Sequence, residues 1–531
     1  LPEAAASATI ALANVDRAER GWAMIETRKR RFLKGAGALA LTSVLPLGQR
    51  AAAKTRADVV VIGAGTAGMP TAIFAAERGL RVIVIEHAPV LGGTLDRSSG
   101  QIAASQTIWQ RKKGIEDSPD RHYADNLRIN RGTADPVLTR AFVDLAPATL
   151  GWLAANGYEV LPNHPVLGGA HENFSTPRYQ WSRDAGKGIL AVMEPLYRQA
   201  EAKGQVTTRF STAAIDLLQQ SDGAVRGVLV EDENGGREEI FARQVVLASG
   251  GCAANPRLFE DLHGVPLSIQ IAYPYNRGAG LLLGQSAGGY LRGGELYNPL
   301  FGAVPEDDTL PSPAAGHWAH DPATRAPWEI YVNSRGERFV AEDHASVDHR
   351  EKMLARQPGH RCWAVFDAAM VEAAPPPFRS WSPEKYRAAL ADHPMFARGE
   401  TLDELAVKAG IDPAGLAQSV AAYNRALAAG ATDPLGKQHR PRAIAQAPFH
   451  AVRLQGWTVC SFAGLTVDGQ LRVIRRDGSA VPNLYALGEV IGAGATSGNA
   501  WTNGMMVTPA LAFGRLLGGK ILGGATTGGR T

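Results

Sequence analysis

The chain has 531 residues, a formal net charge of +4, and 45% hydrophobic and 20% charged residues. That length exceeds one ordinary core and predicts two or three domains of globular composition. No basic stripe interleaved with aromatics occurs, which argues against nucleic acid as a partner. The three cysteines, Cys252, Cys362 and Cys460, form no CxxC pair, which argues against zinc, thioredoxin-like and c-type haem sites, and no metal site is expected.

The first readable element is an address. Arg28 to Ala53 reads RKRRFLKGAGALALTSVLPLGQRAAA. A basic stretch with Arg30-Arg31 precedes a weakly apolar run, Gly35 to Leu47, and small residues follow at Ala51 to Ala53. The order fits a twin-arginine export signal and predicts a periplasmic or secreted protein. The run is too short to anchor in a bilayer. Residues 1–53 are therefore read as a leader, with Met24 as the expected start. A basic amphipathic helix of the mature fold is the other reading.

Asp58 to Glu86 predicts a strand, a glycine turn, a helix and a second strand. Val59 to Ile62 is a continuous apolar run, as a buried parallel strand requires. Gly63, Gly65 and Gly68 follow as GxGxxG, with Thr66 and Ala67 between them. Such a turn lets phosphates approach backbone amides at a helix N-terminus. The helix is expected from Ala67 to Arg78, with Gly79 as its C-cap and a strand from Arg81 to Ile85. Glu86 falls where a carboxylate holds ribose hydroxyls, and that carboxylate argues against a 2′-phosphate. The motif alone fits NAD or FAD.

Further segments favour FAD. Gly92-Gly93-Thr94 and the stretch SSGQIAAS, with Ser99 and Gly100, offer small residues against which a ring system can lie. Gln205 to Gly250 reads as a β-rich insertion, containing Ala214 and closing on Ala248, Gly250 and Gly251. Val481 to Val490 is another buried strand ending in Gly488-Glu489, an acid suited to a ribityl chain. Gly504-Met505-Met506 opens an apolar helix to about Leu517, whose N-terminus would stabilise negative charge on a reduced flavin.

With these motifs in place, the chain resembles the fumarate reductase / succinate dehydrogenase flavoproteins, in the branch that includes 3-ketosteroid dehydrogenases. The resemblance runs from about Ala57 to Gly519. It rests also on VVLASGGCAANP (an AxGGxxxN segment ending at Asn255), IYVNSRGERFVAED (a VNxxGxRFxxE signature ending on Glu342 and Asp343) and NLYALGE. It implies an α/β protein with an α+β cap. A Rossmann-type FAD-binding domain is built from discontinuous segments around an inserted cap or substrate domain. Boundaries are expected at 54–264 (first FAD segment), 265–445 (cap) and 446–531 (second FAD segment). In the cap, Thr401 and Glu404 predict a capping box. SSGQIAAS lacks the histidine of members with covalent flavin, so non-covalent FAD is expected.

The family's reacting groups match poorly. Fumarate reductases carry an arginine four residues after the signature glutamate, and ketosteroid dehydrogenases a tyrosine at about that place; here the position is Ser346, with Asp348, His349 and Arg350 close behind. Cys460 stands where dicarboxylate reductases have a histidine. No Arg or Lys lies between Glu489 and Met505, where those enzymes have an arginine. Trp501 would form an apolar wall or pack in the core, and Asn503 or the Gly504 amide would donate to a carbonyl. Ser346, His349, Arg350, Trp501, Asn503 and Gly504 are thus the catalytic candidates. Tyr273, Tyr275, Tyr297, His317 and His320 are possible cleft residues.

The expectation is an exported FAD oxidoreductase acting on a C–C bond beside a carbonyl, with a small-molecule cyclic ketone preferred. Alternatives are reduction of an α,β-unsaturated carboxylate, a flavin alcohol or amine dehydrogenase, and an electron-transfer subunit. No haem or iron–sulfur motif occurs, so a separate carrier, a periplasmic cytochrome or quinone-linked protein, or oxygen is the expected electron partner.

Overall fold

The computed structural model describes residues 55–523, apart from Ala170 and Arg379. The expected leader and export signal lie outside the described residues. The chain enters on β1 (Thr55–Ile62), turns into α1 (Gly68–Glu77) and returns on β2 (Val82–Ile85). β1 is buried from Val59 to Ile62, as its unbroken apolar run requires. Gly63 (φ +107°) makes the turn, where a Cβ would come within 2.5 Å of the Ala248 carbonyl. Gly79 (φ +80°) follows α1 as expected.

Three long helices follow, α2 (Pro119–Asn130), α3 (Pro136–Ala155) and α4 (Gly186–Ala202). Then come the strands of the predicted β-rich insertion, β3 (Val206–Arg209), β4 (Thr212–Gln219), β5 (Val225–Asp232) and β6 (Arg237–Leu247).

The chain next builds a second sheet from β7 (Leu300–Pro305), β8 (Ala314–His317), β9 (Ile330–Val332), β10 (Arg361–Asp367), β11 (Phe396–Gly399) and β12 (Phe449–Trp457). All its pairings are antiparallel, in the order β8-β7-β12-β10-β9 with β11 also on β12. Helix α5 (Val347–Ala355) precedes β10, and the pair α6 (Leu402–Ala409) and α7 (Pro413–Ala428) precedes β12. β13 (Arg472–Ile474), β14 (Ala480–Ala486) and α8 (Val507–Leu516) follow.

In the first sheet, β14-β6-β1-β2-β3 are mutually parallel and β13 runs antiparallel on the edge. Val60 pairs with both Ile83 and Val245. The carboxyl ends of β1, β2, β6 and β14 therefore share one edge, where Gly63, Glu86, Ala248 and Gly488 all sit. Ligands of open parallel sheets bind at such an edge.

Two expectations need correction. The cap was expected to end at 445, but Phe449–Trp457 is the central strand of the second sheet, so that sheet closes only after Trp457. The predicted last helix starts at Val507 rather than Gly504, because Gly504 has φ +79° and cannot join a right-handed helix. The predicted capping box forms by half: Thr401 Oγ1 accepts from Glu404 N at 3.1 Å, while the Glu404 carboxylate accepts from Glu400 N and not from Thr401.

A chain of buried charges holds the second layer together. Glu342, the signature acid, accepts from Tyr331 N at 3.0 Å and from Arg338 Nη2 at 2.8 Å. Arg338 also reaches Asp433 at 2.8 Å, and Lys437 Nζ lies 3.5 Å from Glu342. Glu342 is thus a structural keystone. Among the described residues, no helix is long and apolar enough to cross a membrane.

Candidate active site

The nucleotide end is assembled from local sequence. Gly65 and Thr66 stay partly exposed at the mouth of the turn, whereas Gly63, Ala67 and Gly68 are buried beneath it. Gly93 packs on Gly65, where an added Cβ would lie 3.1 Å from Gly65 Cα. The Glu86 carboxylate accepts from Ala64 N and Ala88 N, both at 2.7 Å. Burial raises its proton affinity, and those amides partly offset the effect. Tyr273 and Tyr275 were expected at the substrate cleft. They sit instead within the field of Glu86, with Tyr275 edge-on to His87 at 5.2 Å. Ala214 is buried in β4, whose first residue, Thr212, donates its amide to the Glu86 carbonyl.

The middle of the cradle converges on Glu489. Its carboxylate accepts from Ser461 N at 2.8 Å and Asn276 Nδ2 at 3.1 Å. Burial pushes its pKa up to about 7, against the hydrogen bonds from Ser461, Gly251 and Asn276. Asn276 Nδ2 also reaches Thr94 Oγ1 at 3.3 Å. Gly488 abuts the start of α1, where an added Cβ would be 2.9 Å from Ala67 Cβ. A side chain on Gly250 would overlap Asn276, and one on Gly251 would overlap Ser461 and Glu489. Small residues, a ribose-type acid at one end and a desolvated acid at the middle make a donor set that fits FAD. Gly92 is buried below this cradle, Gly100 packs against Ala185 and Gly186, and Ser99 is exposed. Asn255 does not present its side chain here: it caps a helix through Leu258 N and donates to the Arg277 carbonyl.

The far end is where sequence reasoning was least complete. Gly504 presses on the backbone of SSGQIAAS, where an added Cβ would lie 2.6 Å from Ala103 N. α8 begins beside it with no side chain capping its first turn, Met506 being its N-cap and Met505 being buried. Its uncapped amide end could stabilise negative charge on a reduced flavin. Trp501 is buried, donates from Nε1 to the Asn298 carbonyl at 3.1 Å and packs edge-on to Phe462 at 5.2 Å. Asn503 spends its amide on the Glu172 carbonyl at 2.9 Å. Its side chain therefore fixes the 166–173 loop, rather than standing ready to donate to a carbonyl.

Of the three candidates around α5, Ser346 and Arg350 are engaged with backbone groups and His349 is stacked on a neighbouring ring. Ser346 caps α5, its hydroxyl accepting from His349 N at 3.1 Å. His349 stacks on His344 at 4.1 Å between centroids. Arg350 is fully buried, and donates to the carbonyls of His344 at 2.7 Å and Glu342 at 3.3 Å. A Ser346→Ala variant should lose about 1 kcal/mol of stability with the cap and keep turnover within about twofold; a tenfold loss of turnover measured on correctly folded protein would return Ser346 to the chemistry.

The structure instead gathers residues that the motifs did not single out. His171 Nδ1 lies 3.4 Å from Asp348 Oδ1 and 3.7 Å from Glu351 Oε2, and its ring stacks on Trp501 at 6.2 Å. Burial raises Glu351 to about 8. His171 holds its proton more tightly than an ordinary imidazole: burial opposes the charge, and Glu351 and Asp348 more than offset it. Among the remaining expected cleft residues, Tyr297 is partly buried and packs edge-on to Phe462, and His317 packs on Trp457. His320 lies against Phe301 and 3.5 Å from Arg350. Cys252 is buried with its thiol pushed up to about 12 by desolvation, and so is inert.

A family model described as FAD binding domain matches residues 58–502. The chain is 29% identical over 465 residues to a fumarate reductase (cytochrome) of Shewanella frigidimarina, covering 87% of this chain and 76% of that one. It is 23% identical over 559 residues to a 3-oxosteroid 1-dehydrogenase of Mycobacterium tuberculosis, covering 86% and 97%. Among solved structures, it superposes on 3-ketosteroid Δ1-dehydrogenase from Sterolibacterium denitrificans in complex with 1,4-androstadiene-3,17-dione, with TM-score 0.68 and 19% identity over 88% of this chain and 99% of that one.

Proposed function

The chain belongs to the FAD-binding family that includes the fumarate reductases and the 3-oxosteroid 1-dehydrogenases, and on that premise we propose that it oxidises or reduces a C–C bond beside the carbonyl of a neutral, ring-type ketone. It is an FAD-dependent oxidoreductase of CH–CH groups; what the proposal adds is the substrate. When bound, FAD supplies the two-electron chemistry, taking or giving a hydride. The protein must exclude water, polarise the carbonyl and handle one proton.

One observation carries the choice of a neutral substrate. The Trp501–Gly504 loop is held by Asp348, which accepts from Trp501 N, while the nearby guanidinium of Arg350 is turned to backbone carbonyls. A dianion would therefore find no bidentate guanidinium in that wall. The loop is backed there by an apolar cluster in which Trp501 packs edge-on to Phe462.

A second reading, reduction of an α,β-unsaturated carboxylate, is favoured by Lys352. That half-buried amine lies 3.4 Å from Asn499 Oδ1 and within the field of Asp348 and Glu351. A panel of ketones, enoates and dicarboxylates offered to the flavin-loaded protein without oxygen separates the two readings by which class changes the flavin's redox state.

The Arg30-Arg31 leader supports export of the folded holoenzyme to the periplasm or beyond. Electrons would then pass to or from a separate carrier, a periplasmic cytochrome or a quinone-linked protein. The flavin would be held without a covalent bond.

A further inference from the structure

We infer that His171 takes or gives the proton at the carbon next to the substrate carbonyl, with Asp348 and Glu351 as the pair that positions it. The inference rests on the ketone reading above.

The geometry is that of a base held by an orienting group. The Nδ1 edge of the ring faces Asp348 at 3.4 Å and Glu351 at 3.7 Å, ion-pair distances to side chains only 5% and 1% exposed. The His171 side chain is 20% exposed and lies along Trp501. The Nδ1 edge thus faces the carboxylates in the interior, and Nε2 is the nitrogen we assign to the substrate. The carboxylates are themselves fixed: Asp348 accepts from Glu172 N at 2.8 Å and Trp501 N at 3.3 Å, and Glu351 from Asn298 Nδ2 at 3.3 Å. Asp348 therefore ties together the histidine loop, α5 and the Trp501 loop.

The ligand atoms of His171, Asp348 and Glu351 lie within 4.8 Å of one another, a spacing that would also suit a cation. The amides already bound to Asp348 point to orientation of the imidazole as the use of these groups.

In the oxidising direction the C–H bond alpha to the carbonyl breaks and its proton passes to His171. Its electron pair becomes the new π bond as the neighbouring carbon gives up a hydride, for which FAD would be the two-electron acceptor. The substrate loses two hydrogens, one as proton and one as hydride. Reduction runs the same steps backwards, with His171 as acid.

The charged groups around His171 are Asp348, Glu351 and Lys352 on α5 and Glu172 beside it in the chain. The two carboxylates hold its proton, so the rate of ketone oxidation should rise with pH through a midpoint above the ordinary imidazole value. Asp348→Asn removes one holding charge and should move that midpoint down.

The test uses flavin-loaded wild type, His171→Gln and Asp348→Asn, reduced without oxygen by a saturated cyclic ketone across a pH series. His171→Gln should keep its flavin and its ketone affinity, and slow reduction by about 10²–10⁴-fold. Asp348→Asn should shift the midpoint downward while keeping measurable turnover. A rate for His171→Gln within threefold of wild type would overturn the assignment. So would a wild-type activity that a chelator abolishes and a divalent cation restores. If His171→Gln lost its flavin, the Asp348→Asn midpoint would decide alone, an unmoved midpoint overturning the inference. Wild type left oxidised by every ketone would remove the substrate reading, and this assignment with it.

Discussion

Gly251→Ala should strip the protein of its flavin. The added methyl would overlap Ser461 Oγ and Glu489 Oε1. Neither can retreat easily: Ser461 is fully buried, donates to Glu489 and accepts from Cys252 N at 3.0 Å. Overpacking of this kind costs about 1–3 kcal/mol, and here it falls on the groups that position Glu489. A 3 kcal/mol loss corresponds to about a hundredfold weaker binding. The purified variant should be nearly colourless, with circular dichroism unchanged, because Gly251 lies just beyond β6 rather than inside the sheet. Full flavin content after purification and an unchanged reconstitution Kd would show that Gly251 and Glu489 do not line the cofactor.

Arg338→Met should unfold the second layer at a lower temperature while leaving the nucleotide turn untouched. Arg338 is the shared partner of Glu342 and Asp433, and its loss leaves two carboxylates in the interior with Lys437 alone nearby. Removing one partner of a buried ion pair costs about 3–5 kcal/mol, which for a domain of this size is a fall in Tm on the order of 10 °C. The pH dependence carries a sign. Burial opposes ionisation of Asp433, but the hydrogen bonds and charge of Arg338 more than offset it and depress its pKa. A depressed carboxylate contributes stability above its unfolded pKa and loses it as pH falls through the folded value. Wild-type Tm should therefore drop on acidification more steeply than that of the variant. Equal Tm values near neutral pH would mean that the charge chain contributes nothing.

What the sequence disclosed follows the range of the interactions. The nucleotide turn was legible because Val59 to Glu86 is a local device: a strand, three glycines, a helix and an acid within one βαβ unit. Glu489 was legible because a buried apolar strand ends on it. The end of the cap was misplaced because Phe449–Trp457 takes its identity from distant pairing with β7 and β10, which no local pattern announces. The reacting end was hardest. Glu172 and Asp348 are 176 positions apart, and Asn503 meets Glu172 across 331. His171 lies in a loop of glycines and polar residues between helices α3 and α4, with no periodicity to mark it. Its one signal was negative: Ser346 stands where the resembled enzymes carry an arginine or a tyrosine. The motif that led to Ser346 was sound as a family marker, but here that serine caps a helix and its neighbour Asp348 reaches the site.

The substrates that exchange electrons with the flavin distinguish a ketone enzyme from a dicarboxylate enzyme. The direct measurement is the absorbance of the oxidised holoprotein under anaerobic conditions, with saturated cyclic ketones and succinate added in parallel, and of the reduced holoprotein with the matching enones and fumarate. Bleaching by a cyclic ketone and reoxidation by its enone, with succinate and fumarate inert, is the predicted result. Bleaching by succinate and reoxidation by fumarate, with the ketones and enones inert, would contradict it.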